Sequence, residues 1–133
     1  MIVFGEEVCF WTAERTGGSY YAGSGFGIGW KKNCELVAGV LYDCCTGRSV
    51  QMHVAAIGKN WMVREYLRIC FDYPFNQLKV NKVVGLVDST NLDALRFDRH
   101  LGFVDEAVIK DAGKYGDLHI LTMTRDQCRF LRT

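Results

Sequence analysis

Two polar residues lie beside apolar stretches at positions where their side chains could do chemistry. His53 lies in the segment 49–57, whose apolar and polar residues alternate as in a β-strand. An imidazole titrates close to neutral pH, so His53 is a candidate general base. Asn91 ends a run of four polar residues, 88–91, each able to cap a helix N-terminus. The competing interpretations are a purely structural histidine and an asparagine that serves only as a cap.

The segment 82–103 positions Asn91 and organises the rest of the chain. Its unbroken apolar run, 83–87, has the length and β-branched content of a strand buried on both faces. Apolar residues then recur at three- and four-residue spacings over 92–101, which predicts a short helix that begins at Asn91. The pair Gly102–Phe103 predicts a left-handed C-cap followed by a residue that packs back on the last turn.

The other predicted elements cover both sides of this unit. A helix over 61–73, ended by Pro74, joins the strand 49–57 to the strand 83–88 as a crossover, so these two strands run parallel. The fold class is therefore α/β, a mixed, largely antiparallel central sheet with helices on both faces, in a single domain over 1–133. The remaining predicted elements are a helix over 5–16, a strand with Phe26, Ile28 and Trp30 on one face, strands over 35–45, 105–111 and 118–124, and a last helical turn in 126–133.

The composition excludes several classes of function. The net charge is only +1, with 16 basic and 15 acidic residues, so no broad field recruits nucleic acid or an anionic membrane. No apolar run approaches the roughly 20 residues of a membrane helix, and the N-terminus lacks the features of a signal peptide. The six cysteines form no C-x-x-C pair, which argues against a zinc site and predicts reduced, packed thiols in a cytoplasmic protein.

The order of these elements and a short signature resemble the GCN5-related N-acetyltransferases (the GNAT family). The signature is Asn91, Ala94 and Leu101-Gly102-Phe103, and the segments 61–85 and 118–128 add to it. The likeness covers about residues 5–131. It is strongest to the small, often phage-encoded members and to the ribosomal-protein acetyltransferase branch.

The resemblance implies acetyl-CoA as cofactor and assigns residues to it. In the family, the strands that correspond to 49–57 and 83–88 are parallel and then splay apart, which frees backbone groups for the pantetheine arm. On this sequence those groups belong to Val54, Ala55, Ala56 and Ile57, and one N–H would stabilise the oxyanion of the tetrahedral intermediate. The resemblance also places the Asn91 side chain and the Phe97 ring beside the cofactor, with a core position as the alternative for Phe97.

The segment that would hold the pyrophosphate departs from the family pattern. Members usually carry several glycines there, whose N–H groups converge on the phosphates. This sequence has one glycine, Gly58, in that segment. Lys59, Asn60, Trp61 and Arg64 are the residues that could bind the phosphates instead, with solvated surface charges as the alternative.

The resemblance also concerns the acid and the base. Many members carry a tyrosine seven residues after the asparagine that protonates the leaving thiolate, but here that residue is Asp98. An ordinary aspartate of pKa about 3.9 is only about one part in a thousand protonated at pH 7, and we expect a surface helix to leave it so. Asp98 is therefore predicted to be a surface charge, with no dedicated acid, and His53 is the candidate base for the attacking amine.

Three functions are consistent with these observations. The first is acetyl transfer from acetyl-CoA to a primary amine by direct attack, with a protein or small-molecule acceptor that the sequence does not name. The second is a catalytically inactive member that binds a partner or packs as a structural module. The third is modification of a nucleic-acid base, which the charge balance argues against. A homodimer is compatible with each.

Overall fold

A computed structural model describes residues 1–58 and 63–131. The strands of the described chain form one seven-stranded sheet in the order β1-β2-β3-β4-β5-β7-β6. No helix among the described residues is long and apolar enough to cross a membrane. The elements, in chain order, are β1 (Ile2–Phe4), α1 (Glu6–Thr16), β2 (Gly25–Lys32), β3 (Glu35–Asp43), β4 (Ser49–Ala56), α2 (Arg64–Asp72), β5 (Lys82–Asp88), α3 (Leu92–Leu101), β6 (Val104–Ile109) and β7 (Leu118–Thr124).

The strand pairing confirms the predicted mixed α/β sheet. β4 and β5 are parallel, and every other neighbouring pair is antiparallel. The sequence prediction lacked β1, a three-residue edge strand that pairs with β2 through Ile2 and Trp30. Three residues are too few to show an alternating pattern, so this strand carries no sequence signal of its own.

The helices lie on both faces of the sheet. The α1 face is the side on which Cys9 and Ala13 of α1 pack against Leu41 of β3. The α3 face is the opposite side, where residues of α2 and α3 join the main core with Val83 and Val87 of β5. Residues of that core include Val50, Met52, Tyr66, Leu67, Phe71, Leu95, Leu101, Phe103, Leu121 and Met123.

The second α-helix ends at Asp72, one residue before the predicted end, but the helical backbone does not stop at Pro74 as predicted. The chain continues from α2 into a π-helical turn, Tyr73–Gln77, in which the Leu78 N–H donates to the Tyr73 carbonyl at 2.9 Å. Pro74 lies near the start of this wider turn, where its missing N–H costs little. The turn buries Pro74 and Phe75, so the proline extends the helical surface that packs on the core.

The α3 helix begins and ends as its sequence predicts. The Asn91 side-chain oxygen accepts a hydrogen bond from the Ala94 N–H at 3.2 Å. Gly102 has φ 117°, a left-handed value that glycine adopts with little strain. The Phe103 N–H donates to the Asp98 carbonyl at 3.0 Å, which returns Phe103 to the core. The cap role of Asn91 is thus confirmed.

The cysteines divide into two groups. Cys9, Cys70 and Cys128 are buried, as predicted for packed thiols. Cys34, Cys44 and Cys45 are exposed, and two of them adopt positive φ in turns: 66° at Cys34 and 52° at Cys44. The prediction of packed thiols is therefore right for half of them. Strand β3 ends at Asp43, two residues earlier than predicted, because the chain turns at Cys44.

Candidate active site

A cleft opens between the two parallel strands. β4 and β5 are in register at Ser49 and Lys82, at Val50 and Val83, and at Gln51 and Val84, where the pairing ends. Both strands then continue, β4 to Ala56 and β5 to Asp88. The splay predicted for these strands is therefore present, and its vertex lies just after Gln51 and Val84.

Alternate residues of β4 direct their backbone N–H and carbonyl groups into this cleft. The N–H of Ile57 donates to the carbonyl of Val37 on β3 at 2.8 Å. In an antiparallel pair the backbone groups alternate between the two sides of a strand, so Ala55 also directs its N–H and carbonyl toward β3. Val54 and Ala56 direct theirs toward β5. The prediction that Ala55 and Ile57 offer backbone groups to a ligand is therefore wrong, and the set of four residues narrows to Val54 and Ala56.

The opposite wall of the cleft follows the same alternation. The N–H of Lys82 donates to the carbonyl of Arg48 at 3.1 Å, just before β4 begins. Even-numbered residues of β5 therefore direct their backbone toward β4. Leu86 is the first of these beyond the last registered pair, so its N–H faces the cleft. Sequence reasoning did not include Leu86, because the direction of a backbone group depends on the register between strands.

His53 lies on the α1 face close to the vertex. It is opposite Leu41 in the register between β3 and β4. Its Nε2 lies 2.8 Å from Oδ1 of Asp43, and the two side chains are 26% and 19% exposed. Sequence reasoning missed Asp43, whose proximity to His53 depends on how the hairpin between β3 and β4 is aligned. When Nε2 carries the proton it donates to Asp43, and the Nδ1 lone pair is available to a substrate.

Asp98 lies on the opposite face of the sheet, and its predicted surface position is wrong. The residue is half-buried, and its carboxylate faces Gly85 of β5. A Cβ placed on Gly85 would lie 3.1 Å from Oδ2 of Asp98. Burial raises the pKa of Asp98 to about 7. Because Gly85 directly follows Val84, the carboxyl group lies beside the vertex of the cleft.

A polar cluster fixes the elbow between β5 and α3 at the mouth of the cleft. The Asp88 carboxylate accepts hydrogen bonds from the N–H groups of Thr90, Tyr115 and Gly116, at 2.8, 2.7 and 3.2 Å. The hydroxyl of Thr90 donates to it as well, at 2.6 Å. Hydrogen bonds from the Thr90 hydroxyl and from these backbone groups hold the pKa of Asp88 well below its usual range. The elbow and the loop between β6 and β7 are thereby joined.

The other predicted cofactor residues are placed as follows. Asn91 is exposed beside the elbow; its side-chain oxygen accepts the hydrogen bond of the helix cap, and its NH2 group takes no part in that bond. Phe97 is half-buried and packs against the main core, in line with the alternative interpretation of this residue. Arg64 is the exposed first residue of α2. Lys59, Asn60 and Trp61 lie outside the described residues.

Metal chemistry has no candidate ligand set in the part of the chain that the structure describes. Within residues 1–58 and 63–131, no group of three histidine, cysteine, aspartate or glutamate side chains converges on one point. Among the described residues, the groups placed around the cleft are backbone hydrogen-bond donors, the imidazole of His53 and the carboxyl groups of Asp43, Asp88 and Asp98.

The architecture matches that of solved acetyltransferases. A mutant of the spermidine N-acetyltransferase from Vibrio cholerae superimposes with a TM-score of 0.76 at 16% identity, over 99% of this chain and 98% of that one. The chain has the GNAT fold. A probable acetyltransferase gives a TM-score of 0.66 at 16% identity, over 78% and 64%. The Campylobacter jejuni N-acetyltransferase PseH, solved with acetyl coenzyme A, gives 0.59 at 17% identity, over 77% and 70%.

These likenesses confirm the fold that the resemblance implied, and at such identities they show the fold alone. No protein-family model matches the sequence, and neither does any curated protein. Which branch of the GNAT proteins is nearest remains a prediction, as does the role of each residue at the cleft.

Proposed function

We propose that this protein transfers the acetyl group of acetyl-CoA to a primary amine by direct attack of the amine on the thioester. The observation that carries the proposal is the splay of β4 and β5, in which both strands continue beyond their last registered pair. Such a cleft exposes backbone donors and acceptors that an extended amide-containing ligand can pair with, as an added strand would. The solved PseH structure, with the same fold, contains acetyl coenzyme A.

The cofactor would enter the cleft as the missing strand. The backbone groups of Val54 and Ala56 on β4 and of Leu86 on β5 would pair with the two amides of the pantetheine arm. The NH2 group of Asn91 would donate to a carbonyl of the same arm while its oxygen continues to cap α3. The N-terminus of α2, with Arg64 as its first residue, would face the phosphates.

His53 would act as the base for the incoming amine. The amine lone pair forms a bond to the thioester carbon, and the carbonyl π electrons move to oxygen. An N–H of the cleft, at Val54 or Ala56, would stabilise that oxyanion. Nδ1 of His53 takes the proton that the amine nitrogen loses, while the Nε2 proton stays on the hydrogen bond to Asp43. The α1 face would therefore be the side from which the acceptor approaches.

Calorimetric titration with acetyl-CoA tests the proposal, and two variants of Asn91 separate its roles. Asn91→Asp keeps an oxygen for the helix cap but removes the NH2 donor, whereas Asn91→Ala removes both. We expect micromolar binding by the wild type and a similar loss of affinity, about tenfold, in both variants, with the fold destabilised only in Asn91→Ala. Absence of binding at high micromolar acetyl-CoA would overturn the proposal and favour a non-catalytic binding module.

A further inference from the structure

The α1 face of the sheet differs between its two halves. Helix α1 packs on β2, β3 and β4, whereas α2 and α3 lie on the opposite face. On β5 and β6, apolar side chains of the α1 face reach solvent: Leu86, Val104 and Ile109 are 37%, 44% and 46% exposed. The half of this face that β5, β7 and β6 form is therefore an apolar surface open to a ligand.

The strand register joins these side chains into one surface. Leu86 is opposite Ile120 of β7, and Ile120 is opposite Ala107 of β6. Side chains of directly opposite residues lie on the same face of a sheet, so the three form one row. Ile109 and Leu118 belong to the next row. We call this surface the open face, and its apolar residues include Leu86, Val104, Ala107, Ile109, Leu118 and Ile120.

The open face begins at the cleft. Val84 is at the vertex and is opposite Thr122, which in turn is opposite Val104. The N–H of Leu86 faces the cleft while its side chain lies on the open face. His53 is on the same side of the sheet, across the vertex on β4. An amine that reacts between His53 and the thioester can therefore extend its body over β5, β7 and β6, because α1 covers the other half of this face.

The charged side chains that these three strands direct to the open face are engaged. Lys82 forms an ion pair with Glu106 at one end of β5. Asp88, at the other end, accepts the N–H groups of Tyr115 and Gly116. A second ammonium group on this surface would lose hydration without gaining a carboxylate partner, whereas an alkyl or aryl group would bury apolar area.

The size of the open face suits a small molecule. Three strands about 4.8 Å apart and five residues long cover on the order of 300 Å². Each partner of a stable dimer buries about 800 Å², so a second copy of the chain fits this surface poorly. We propose that the open face binds the apolar body of the acceptor, which makes the preferred substrate a small primary amine with an alkyl or aryl group. This inference rests on the acetyl transfer proposed above.

Three amines test the proposal with acetyl-CoA as donor. Heptylamine and 1,6-diaminohexane have the same length, but the second ends in an ammonium group, and ethylamine is too short to reach β7. We expect kcat/KM to be about tenfold higher for heptylamine than for either of the others.

A double variant, Val104→Ser with Ile109→Ser, makes the open face more polar. It should lower the ratio of kcat/KM for heptylamine to that for ethylamine about tenfold. Val108→Ser is the matched control, because Val108 is 53% exposed on the same strand but lies on the other face, opposite His119. It should leave the ratio unchanged. Circular dichroism of each variant verifies that it is folded.

Two results would overturn the role of the open face while the acetyl transfer stands. One is a preference of the wild type for 1,6-diaminohexane. The other is an unchanged ratio in the double variant, and a wild-type dimer that the same variant dissociates would then assign this face to a second copy. If the wild type neither binds acetyl-CoA nor acetylates any of the amines, the proposed function fails and the role of the open face fails with it.

Discussion

Asp43 and Asp98 lie on opposite faces of the same sheet and have opposite electrostatic surroundings. Oδ1 of Asp43 lies 2.8 Å from Nε2 of His53, so this carboxyl group has a hydrogen-bond partner. Asp98 faces the backbone of Gly85 and has a raised pKa of about 7. The Asp43 carboxylate can hydrogen-bond to the imidazole and orient the ring, whereas burial without such a partner favours the protonated form of Asp98. The same residue type thus occupies two different environments in one sheet.

We expect the largest effect from substitutions of His53 and Asp43 on the α1 face. His53→Gln removes the proposed base but keeps a side chain able to hydrogen-bond to Asp43, so we expect acetyl transfer to fall about 10²-fold. Asp43→Asn should cost less, because the imidazole remains and only its orientation and tautomer are released. Steady-state rates over pH 5.5–9 measure both. A wild-type rate in His53→Gln would show that the amine needs no base at this position. The pair of His53 and Asp43 would then have no role in the reaction.

On the α3 face, the raised pKa of Asp98 predicts that the stability of the protein depends on pH. The native pKa of Asp98 is raised above its unfolded value, so its contribution to stability is complete below about pH 4 and is lost as the pH rises toward 7. Asp98→Asn lacks this loss. We expect the variant to exceed the wild type by about 2 kcal/mol more at pH 8 than at pH 4.5, after allowance for solvent around a half-buried group.

Urea unfolding of both proteins at the two pH values measures this difference, and Asp93→Asn serves as the exposed control. An equal stability difference at pH 4.5 and pH 8 would mean that Asp98 titrates like a surface aspartate. It would also remove the contrast with Asp43.

A smaller effect is expected at the mouth of the cleft. The lowered native pKa of Asp88 means that its contribution to stability is present above the unfolded pKa and is lost as the pH falls below about 4. In Asp88→Asn an NH2 group replaces one acceptor beside the N–H groups of Tyr115 and Gly116. We expect a lower Tm above pH 5, a difference from the wild type that narrows progressively as the pH falls below about 4, and faster hydrogen exchange at these two amides.

Unchanged exchange at Tyr115 and Gly116 in Asp88→Asn would show that the loop is held by other contacts. The hydrogen bond from the Asp117 N–H to the Ser89 hydroxyl, at 3.0 Å, is the first of those to consider.

How much the sequence could predict depends on how local each feature is. The α3 unit was predicted well because Asn91 and Gly102 act on the residues beside them. The surface position predicted for Asp98 from its polarity is wrong, although its spacing from apolar residues of the same helix indicates a buried face. Asp98 is four residues after Ala94 and three before Leu101, on the stripe that faces the sheet.

Features that join distant segments carried no such signal. The contact of Asp43 with His53 requires the register of the hairpin between β3 and β4. The backbone groups of Ala55 and Ala56 face opposite sides of β4. This difference also follows from the register, because backbone direction alternates along a paired strand. Two adjacent alanines look equivalent in the sequence, yet only Ala56 directs its backbone into the cleft.

Amide hydrogen exchange, followed residue by residue with and without acetyl-CoA, tests the cleft most directly. The amides of Ala55 and Ile57 face β3 and should be protected in both states. The amides of Val54, Ala56 and Leu86 should exchange faster in the free protein and become protected when acetyl-CoA is bound. Unchanged exchange at those three amides under saturating acetyl-CoA would contradict the account, because the cofactor would then bind elsewhere or not at all.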